Sequence, residues 1–424
     1  VIVAGESRIG KSALARRFLD ELAAMRTDVL VLAGRCDARE LVSYNALDGA
    51  VDALARFLVG LPADDVAAPG GTRELLQIFP VLRGVPALDA ATRGDAAVRR
   101  DPAAAELDER SLAFAALADL LSATAARRPI VLVLDDLHWA DADSLALLGE
   151  LFAGADAPAM LLVATARLAP DGTVAARGAV HVPVEVLPLG GLPRAEAEAL
   201  VRAAAPGADA ARLAADAGGH PMFLTELARR SENSGLLGLR LDDALWQRIG
   251  ELDPGARALL EVVALGAAAL PVGAIPAAAG LAPDVFTRCL GALRGARLVR
   301  ITGARGATSL VEPYHDRVRE TVAAHLSAGR RRTLHRALAA SLEASGVAVE
   351  VLAYHLAQAG EGARAGALAE AAARRALDAL AFDRAAEWLR VTLELGELTS
   401  ERRRAITAER AEVLARAGRT SDAA

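Results

Sequence analysis

The sequence predicts an α/β domain with a parallel sheet, followed by a long region made only of helices. In the first part of the chain, short apolar runs rich in β-branched residues alternate with amphipathic helical patterns. From Tyr314 onward the pattern is helical throughout. Hydrophobic residues make up 53% of the chain and aromatic residues only 3%, a composition that favours helices over strands.

The first predicted strand leads into a glycine-rich loop. "VIVA" is apolar and β-branched, and "GESRIGKS" (Gly5 to Ser12) fits the pattern G-x-x-x-x-G-K-[ST], followed by the helical pattern "ALARRFLDEL". Lys11 is the one lysine among 48 lysines and arginines. Because the planar arginine side chain cannot replace a compact ammonium inside such a loop, this position indicates phosphate binding.

The pattern assigns a role to each residue type in this P-loop. Gly5 and Gly10 allow positive φ and close backbone approach, so that loop and helix N–H groups can surround phosphate oxygens. Lys11 is expected to reach the β- and γ-phosphates, and the Ser12 hydroxyl to bind Mg²⁺. The predicted ligand-binding residues of the loop are Gly5, Glu6, Ser7, Arg8, Ile9, Gly10, Lys11, Ser12 and Ala13.

A second buried strand ends in two carboxylates. "RRPIVLVLDDLHWAD" places Asp135 and Asp136 after the apolar run Ile130 to Leu134, at the sheet edge where α/β proteins bind ligands. Asp135 is expected to hold Mg²⁺ through water, and Asp136 to orient or deprotonate the attacking water. Many active P-loop ATPases carry glutamate there, so the shorter Asp136 predicts slow hydrolysis. The alternative role of Asp136 is to cap a helix or turn.

Two further strands complete the predicted sheet. "DVLVLAGRCDARE" follows the P-loop helix, and "APAMLLVATARLAP" ends in Thr165 and Arg167. Both end residues could sense the γ-phosphate, although a surface salt bridge explains Arg167 equally well. Four strands alternating with helices predict a doubly wound parallel sheet.

Breaks in the pattern divide the chain into four predicted domains. A P-loop NTPase domain occupies residues 1–186, and a lid of helices separated by Gly/Pro breaks occupies residues 187–235. Residues 236–312 read as three helices and a β-hairpin turned by "GARG", which together predict a winged helix. Residues 313–424 resemble stacked helical hairpins of the tetratricopeptide repeat (TPR) type, which predict a protein-binding surface.

Charge and composition argue against two classes of partner. The net charge is -6 without a basic stripe, and the third winged-helix segment, "PDVFTRCLGALRG", has few basic residues, so we expect internal packing there and no nucleic-acid partner. "GRRRTLHR" is interpreted as a solvated helix face. With no long apolar run and only two cysteines, we expect a cytoplasmic protein that binds no membrane.

These stretches, together with "AGGHPMFLTELAR" and "VEPYHDRVRETVAAHLSAGRRRTLHRALAASLE", resemble the AAA-type ATPase module of the STAND class. The resemblance runs from Val1 to about Glu343. Within that class the chain is similar to the module found in large bacterial serine/threonine protein kinases and, more distantly, to the ATPase half of LuxR-type regulators. It implies a nucleotide-dependent switch that acts on a linked effector. The first residue is Val and the last helical pattern is interrupted, so we expect the chain to be a piece of a longer protein.

The resemblance also implies roles for two residues outside the sheet domain. It places Pro221 of "GGHP" against the adenine, although this motif also ends helices. It places His315 of "YHD" near the β-phosphate, whereas a helix-capping His-Asp pair is the alternative. ATP-dependent self-assembly and an N-terminal kinase effector are expectations from the same source. The alternatives are a non-catalytic scaffold that nucleotide stabilises, and a transcriptional regulator.

Overall fold

The computed structural model describes residues 1–36, 41, 43–95, 109–153, 157–168, 173–174, 183–231, 241–302 and 309–423. The chain divides into two compact units. The first unit takes its residues from Val1–Ala38, Ser43–Gly235 and Ala376–Arg384. The second takes them from Arg39–Val42, Leu236–Arg375 and Ala385–Ala424. The finer division into four domains stays a prediction.

A five-stranded parallel sheet forms the centre of the first unit. Its strands are β1 (Ile2–Gly5), β2 (Leu30–Arg35), β3 (Ile130–Asp135), β4 (Met160–Arg167) and β5 (Val186–Leu189). Their order across the sheet is β2-β3-β4-β1-β5, with every neighbouring pair parallel. The four predicted strands and the parallel sheet are confirmed.

The fifth strand was not predicted. β5 is four residues long, contains a proline and leaves Leu187 43% exposed, so it lacks the apolar run that marks the buried strands. It pairs with β1 along its whole length. Residue 187, where the lid was expected to begin, therefore lies in the sheet, and the next helix begins at Arg194; the lid itself stays a prediction.

Nine helices are described in the first unit. They are α1 (Lys11–Met25), α2 (Asn45–Val59), α3 (Thr72–Ile78), α4 (Pro86–Asp95), α5 (Glu109–Ala125), α6 (Ala142–Leu151), α7 (Arg194–Ala204), α8 (Ala210–Asp216) and α9 (Pro221–Ser231). Short 3₁₀ turns lie at Ala63–Asp65, Pro80–Gly84 and Leu137–Trp139. Between β2 and β3, helices α2 to α5 enclose the buried ring of Tyr44, which packs against Phe79 and Phe114. Asp141 caps α6 by accepting the Ser144 N–H at 2.6 Å.

A segment from far along the chain completes the first unit. We call Ala376–Arg384 the return segment. The Tyr44 hydroxyl donates to the Leu380 carbonyl at 2.9 Å, and the Asp143 carboxylate accepts the backbone N–H of Asp383 at 3.3 Å and of Arg384 at 3.0 Å. The sequence analysis assigned these residues only to the helical repeats.

The second unit begins with helices packed beside a small antiparallel sheet. Its first helices are α10 (Leu241–Gly250), α11 (Pro254–Leu265), α12 (Ile275–Ala279) and α13 (Pro283–Gly295), where three were expected. The strands β6 (Leu270–Pro271), β7 (Val299–Thr302) and β8 (Leu310–Pro313) lie in the order β6-β8-β7. The predicted pairing of β7 with β8 is confirmed, and the proposed turn at residues 303–306 lies outside the described residues. Buried faces of α11 and α13 form the core of this part.

The rest of the second unit is helical, as predicted. Its helices are α14 (Asp316–His325), α15 (Ala328–Glu343), α16 (Val349–Ala359), α17 (Gly362–Asp378), α18 (Phe382–Leu395), α19 (Ser400–Arg416) and α20 (Thr420–Ala423), and the end of α17 and the start of α18 belong to the return segment. The basic cluster on α15 is exposed at residues 330–332. Within the described ranges, no helix has both the length and the apolarity that crossing a membrane requires.

Candidate nucleotide-binding site

The predicted P-loop joins β1 to α1 with a backbone that only certain residues adopt easily. Gly10 has φ of 112° and directly precedes α1, and Arg8 has φ of 66°. A Cβ at Gly5 would lie 2.5 Å from the Leu189 carbonyl oxygen of β5. Glycine is therefore required at Gly5 by the neighbouring strand and at Gly10 by the backbone angle.

Lys11 is buried at the start of α1. Its side chain folds back along the loop, where Nζ donates to the carbonyls of Gly5 at 3.0 Å and Glu6 at 2.7 Å. Burial lowers the pKa of Lys11, the nearby Asp136 and Asp135 oppose this, and the charge of Arg167 adds to it. Both acceptors are neutral carbonyl oxygens, so the positive charge of the buried Lys11 ammonium is available to an anion bound in the loop.

Three side chains from three elements meet at the end of β3. The Ser12 hydroxyl, on α1, donates to Asp135 Oδ1 at 2.7 Å, and the Thr165 hydroxyl, on β4, donates to the same oxygen at 2.6 Å. Parallel pairing of β3 with β4 and of β4 with β1 produces this arrangement. The sequence predicted Ser12, Asp135 and Thr165 from separate motifs, and the structure brings them together.

Asp136 is held in an unusual backbone conformation beside this network. Its φ is 58°, in the left-handed region, and its N–H donates to Thr165 Oγ1 at 2.9 Å. Its carboxylate oxygen Oδ2 lies 3.9 Å from Nη2 of Arg35 at the end of β2. Asp136 precedes the 3₁₀ turn Leu137–Trp139, but its side chain does not cap that turn, so the capping alternative is wrong for the side chain.

Arg167 reaches the same edge of the sheet from the end of β4. Its Cα pairs in register with Gly5, and its guanidinium carbon lies 5.5 Å from the centre of the Trp139 ring. This is a cation–π distance. The structure thus places Arg167 next to the P-loop, and its role as a phosphate sensor stays a prediction.

The remaining predicted residues lie on the loop, the lid and the second unit. Ile9 is buried, Ser7 and Arg8 are half-buried, and Glu6 and Ala13 are exposed. Pro221 is the first residue of α9, after the positive-φ pair Gly218 and Gly219 that separates it from α8. His315 belongs to the second unit, where it is exposed, precedes α14 and lies edge-on to Tyr314. Contacts of Pro221 and His315 with nucleotide stay predictions.

The sequence analysis missed three residues of this site. Arg35 faces Asp136 because β2 pairs with β3, and Trp139 lies under Arg167 because the 3₁₀ turn folds back over β4. His220 Nε2 lies 2.9 Å from the Ser7 carbonyl oxygen. All three lie inside stretches quoted above, but Arg35, the last residue of β2, has no local signal that pairs it with Asp136.

The residues fit a magnesium-bound nucleotide. Hydroxyl and carboxylate oxygens, the ligands that Mg²⁺ prefers, converge at Ser12 and Asp135, and the buried ammonium of Lys11 matches a phosphate. The part of the chain that the structure describes holds no cluster of three or more His, Cys, Asp or Glu residues suited to another metal.

Comparisons with known proteins agree with this geometry. Residues 1–163 match the AAA ATPase domain family. A solved STAND (signal transduction ATPase with numerous domains) protein with a tetratricopeptide repeat sensor from Pyrococcus horikoshii is similar to this chain, with 15% identity and a TM-score of 0.52. The match covers 100% of this chain and 60% of that one, so the chain spans less than two thirds of its length. No curated protein matches.

Two other solved structures match with lower TM-scores. Cdc6p from Pyrobaculum aerophilum has 16% identity over 81% of this chain and 88% of that one, with a TM-score of 0.33. The Orc1 protein of Aeropyrum pernix, solved with DNA, has 14% identity over 77% and 86%, with a TM-score of 0.29. The family match supports nucleotide binding and ATPase activity, and the first structure supports the fold of a P-loop NTPase core followed by a largely helical region.

Proposed function

We propose that this chain is an ATP-binding signalling switch that hydrolyses ATP slowly. The observation that carries the proposal is the convergence of Lys11, Ser12 and Asp135 at one end of the sheet. With ATP and Mg²⁺ bound, Lys11 neutralises phosphate charge, while Ser12 and Asp135 hold the ion. Magnesium supplies the electrostatic stabilisation of the transferring phosphoryl group.

The arrangement around Asp136 supports slow hydrolysis. A general base must reach the attacking water, and an aspartate is one methylene shorter than the glutamate of many active P-loop ATPases. Oδ2 of Asp136 lies 3.9 Å from Nη2 of Arg35, and its backbone is in the left-handed region, so the protein fixes both the partner and the direction of this carboxylate. We therefore expect single-turnover hydrolysis well below the roughly 1–10³ s⁻¹ that is typical of enzymes.

The output of the switch is proposed from the helical region and from the resemblance. The similar Pyrococcus horikoshii protein is described as a signal transduction ATPase with a tetratricopeptide repeat sensor. We propose that residues 313–424 bind a protein partner through TPR-like repeats, that ATP binding promotes self-assembly, and that a linked serine/threonine protein kinase domain is the effector. Ligand binding of this kind acts by favouring one of two conformations.

A single-turnover ATP hydrolysis time course with Mg²⁺ tests the enzymatic part. Lys11→Ala should lose ATP binding, Asp136→Asn should bind ATP without turning it over, and Asp136→Glu should turn over faster than the natural chain. Asp119→Asn, an exposed carboxylate on α5, is the control and should behave as the natural chain. Equal rates for the natural chain and Asp136→Asn would contradict the role of Asp136.

A non-catalytic scaffold in which nucleotide is a structural ligand is the second candidate. The pairing of Asp136 with Arg35 favours it, because a carboxylate held this way need not activate water. Tight binding of ATP with no turnover in the natural chain, and none in Asp136→Glu, would select the scaffold. Turnover that both Lys11→Ala and Asp136→Asn abolish would select the switch.

A further inference from the structure

His220 lies in a turn that contacts the segment following β5. The turn connects α8 with α9, and the Leu192 N–H, just beyond β5, donates to the Gly219 carbonyl at 2.8 Å. A Cβ at Gly219 would lie 2.4 Å from the Leu192 carbonyl oxygen, so the two backbones are in direct contact. The His220 ring is only 8% exposed and packs edge-on against Phe223 with ring centres 5.0 Å apart. The backbone contact of the turn with Leu192 and the ring contact with Phe223 therefore fix the position of the His220 side chain.

The fixed ring contacts the P-loop through one hydrogen bond. Nε2 lies 2.9 Å from the Ser7 carbonyl oxygen, and a carbonyl can only accept, so Nε2 carries the proton. The peptide bond from Ser7 to Arg8 is trans, so its carbonyl and its N–H point in opposite directions. Holding the Ser7 carbonyl toward the lid thus turns the Arg8 N–H toward the other side of the loop.

The same peptide leads into the strained residue of the loop. Arg8 has φ of 66°, a conformation that costs an L-residue free energy and persists only where surrounding contacts enforce it. The Arg8 side chain also contacts α9, with Nη1 2.9 Å from Met222 Sδ. One contact from the turn before α9 and one from its first turn therefore hold the loop on both sides of the Ser7–Arg8 peptide.

We propose that His220 is a positioning residue that couples the lid to the P-loop by holding the Ser7–Arg8 peptide in its phosphate-binding orientation. The inference rests on the proposed nucleotide site and goes beyond it, because it assigns control of phosphate affinity to a lid residue. A lid that moves away from the loop releases the Ser7 carbonyl, and phosphate affinity falls. Because the contact is made to the P-loop backbone, we expect its loss to weaken phosphate binding more than binding of the base.

Three variants separate a coupling role from a packing role. His220→Phe keeps a ring of similar size but removes the donor, and His220→Gln keeps an N–H donor near the position of Nε2. Thr225→Val is the control on the same helix, because the Thr225 hydroxyl donates to the carbonyls of Pro221 and Met222 within α9. Unfolding midpoints measured beside the binding data identify any variant that fails to fold.

Dissociation constants for ATP, ADP and adenosine provide the first readout. Loss of one hydrogen bond at the phosphate loop should weaken ATP and ADP about 3- to 10-fold in His220→Phe. Adenosine, which has no phosphate, should bind within about twofold of the natural chain, and His220→Gln should restore most of the ATP affinity. Unchanged ATP affinity in His220→Phe, or an equal loss for ATP and adenosine, would overturn the proposal.

Hydrogen exchange of the loop amides without nucleotide provides the second readout. Residues 5–12 should exchange faster in His220→Phe than in the natural chain and in Thr225→Val. This readout does not depend on the proposed function. If the natural chain bound no nucleotide, the proposed function would be contradicted. Exchange of the loop amides would still show whether His220 holds the loop. Identical exchange in His220→Phe and the natural chain would refute the coupling even if ATP binds tightly.

Discussion

Replacing Asp143 by asparagine should change how the stability of the first unit depends on pH. The Asp143 side chain is 1% exposed and accepts two backbone N–H groups of the return segment. Burial, together with the neighbouring charges of Asp141 and Asp383, raises its pKa from 3.8 to about 7. Arg110, with Nη1 3.6 Å from Asp143 Oδ1, and the Arg384 N–H oppose this rise. Burial is the largest of these influences, and the guanidinium of Arg110 also lies 4.0 Å from Asp383.

The sign of the pH effect follows from the direction of this shift. At a pH between the unfolded pKa of 3.8 and the folded pKa of about 7, Asp143 is protonated in the folded protein and ionised in the unfolded chain. The free energy of unfolding therefore decreases as the pH rises through this window, and the contribution of Asp143 is constant above and below it. At about 1.4 kcal/mol per pKa unit, the natural chain should lose about 3 kcal/mol relative to Asp143→Asn between pH 5 and pH 8.

Urea unfolding followed through Trp139 tests this prediction. Trp246 and Trp388 lie in the second unit, so replacing both by phenylalanine leaves a fluorescence signal from the first unit alone. A two-unit chain need not unfold in one step, which makes this separation necessary. Asp119→Asn is the matched control, since it removes an exposed carboxylate on the neighbouring α5.

Parallel stability profiles for the natural chain and Asp143→Asn from pH 5 to pH 8 would refute the argument from burial. A natural chain that gains stability over the variant as the pH rises would show that Arg110 and the two N–H groups outweigh burial. In either case, Asp143 would be an ordinary ionised anchor of the return segment.

Three further substitutions test the backbone, the return segment and the phosphate sensor. Gly10→Ala should lower the free energy of unfolding by about 1–2 kcal/mol, because φ of 112° strains an L-residue, whereas Gly84→Ala meets no atom within 4 Å and should be neutral in the same urea titration. Tyr44→Phe removes a buried hydrogen bond to the Leu380 carbonyl and should cost about 1–2 kcal/mol; an unchanged midpoint would contradict the role of that bond. Trp139→Leu removes the ring beside Arg167 and should reduce the preference for ATP over ADP about two- to fivefold in competition binding. An unchanged preference would contradict contact between Arg167 and the γ-phosphate.

The parts of the site that the sequence could predict are those with a local signal. The P-loop and the Asp135–Asp136 pair each follow an apolar strand directly, and the sheet brings their residues together once the strands are parallel. β5 was not predicted because it is short and half-exposed, so its pattern differs from that of a buried strand.

Other contacts have no signal within any short window of sequence. Asp143 resembles a residue of a capped helix start, and its partners Asp383 and Arg384 lie about 240 positions further along. Arg35 reaches Asp136 only through the register of two strands, and His220 reaches Ser7 across 213 positions. Their burial and charge environment depend on tertiary structure, which periodicity does not contain.

Strained backbone conformations occur both at the candidate nucleotide site and at the return segment. Among the described residues of the first unit, four non-glycine residues have positive φ, namely Arg8, Tyr44, Asp136 and Leu380. Each is held by a contact between distant parts of the chain: Arg8 contacts Met222, Asp136 donates to Thr165, and Tyr44 donates to Leu380 itself. Strained conformations persist only where tertiary contacts enforce them. The motifs therefore predict which residues form the candidate nucleotide site, whereas contacts with Met222 and Thr165 hold Arg8 and Asp136 in their conformations, and the Tyr44–Leu380 hydrogen bond does the same at the return segment.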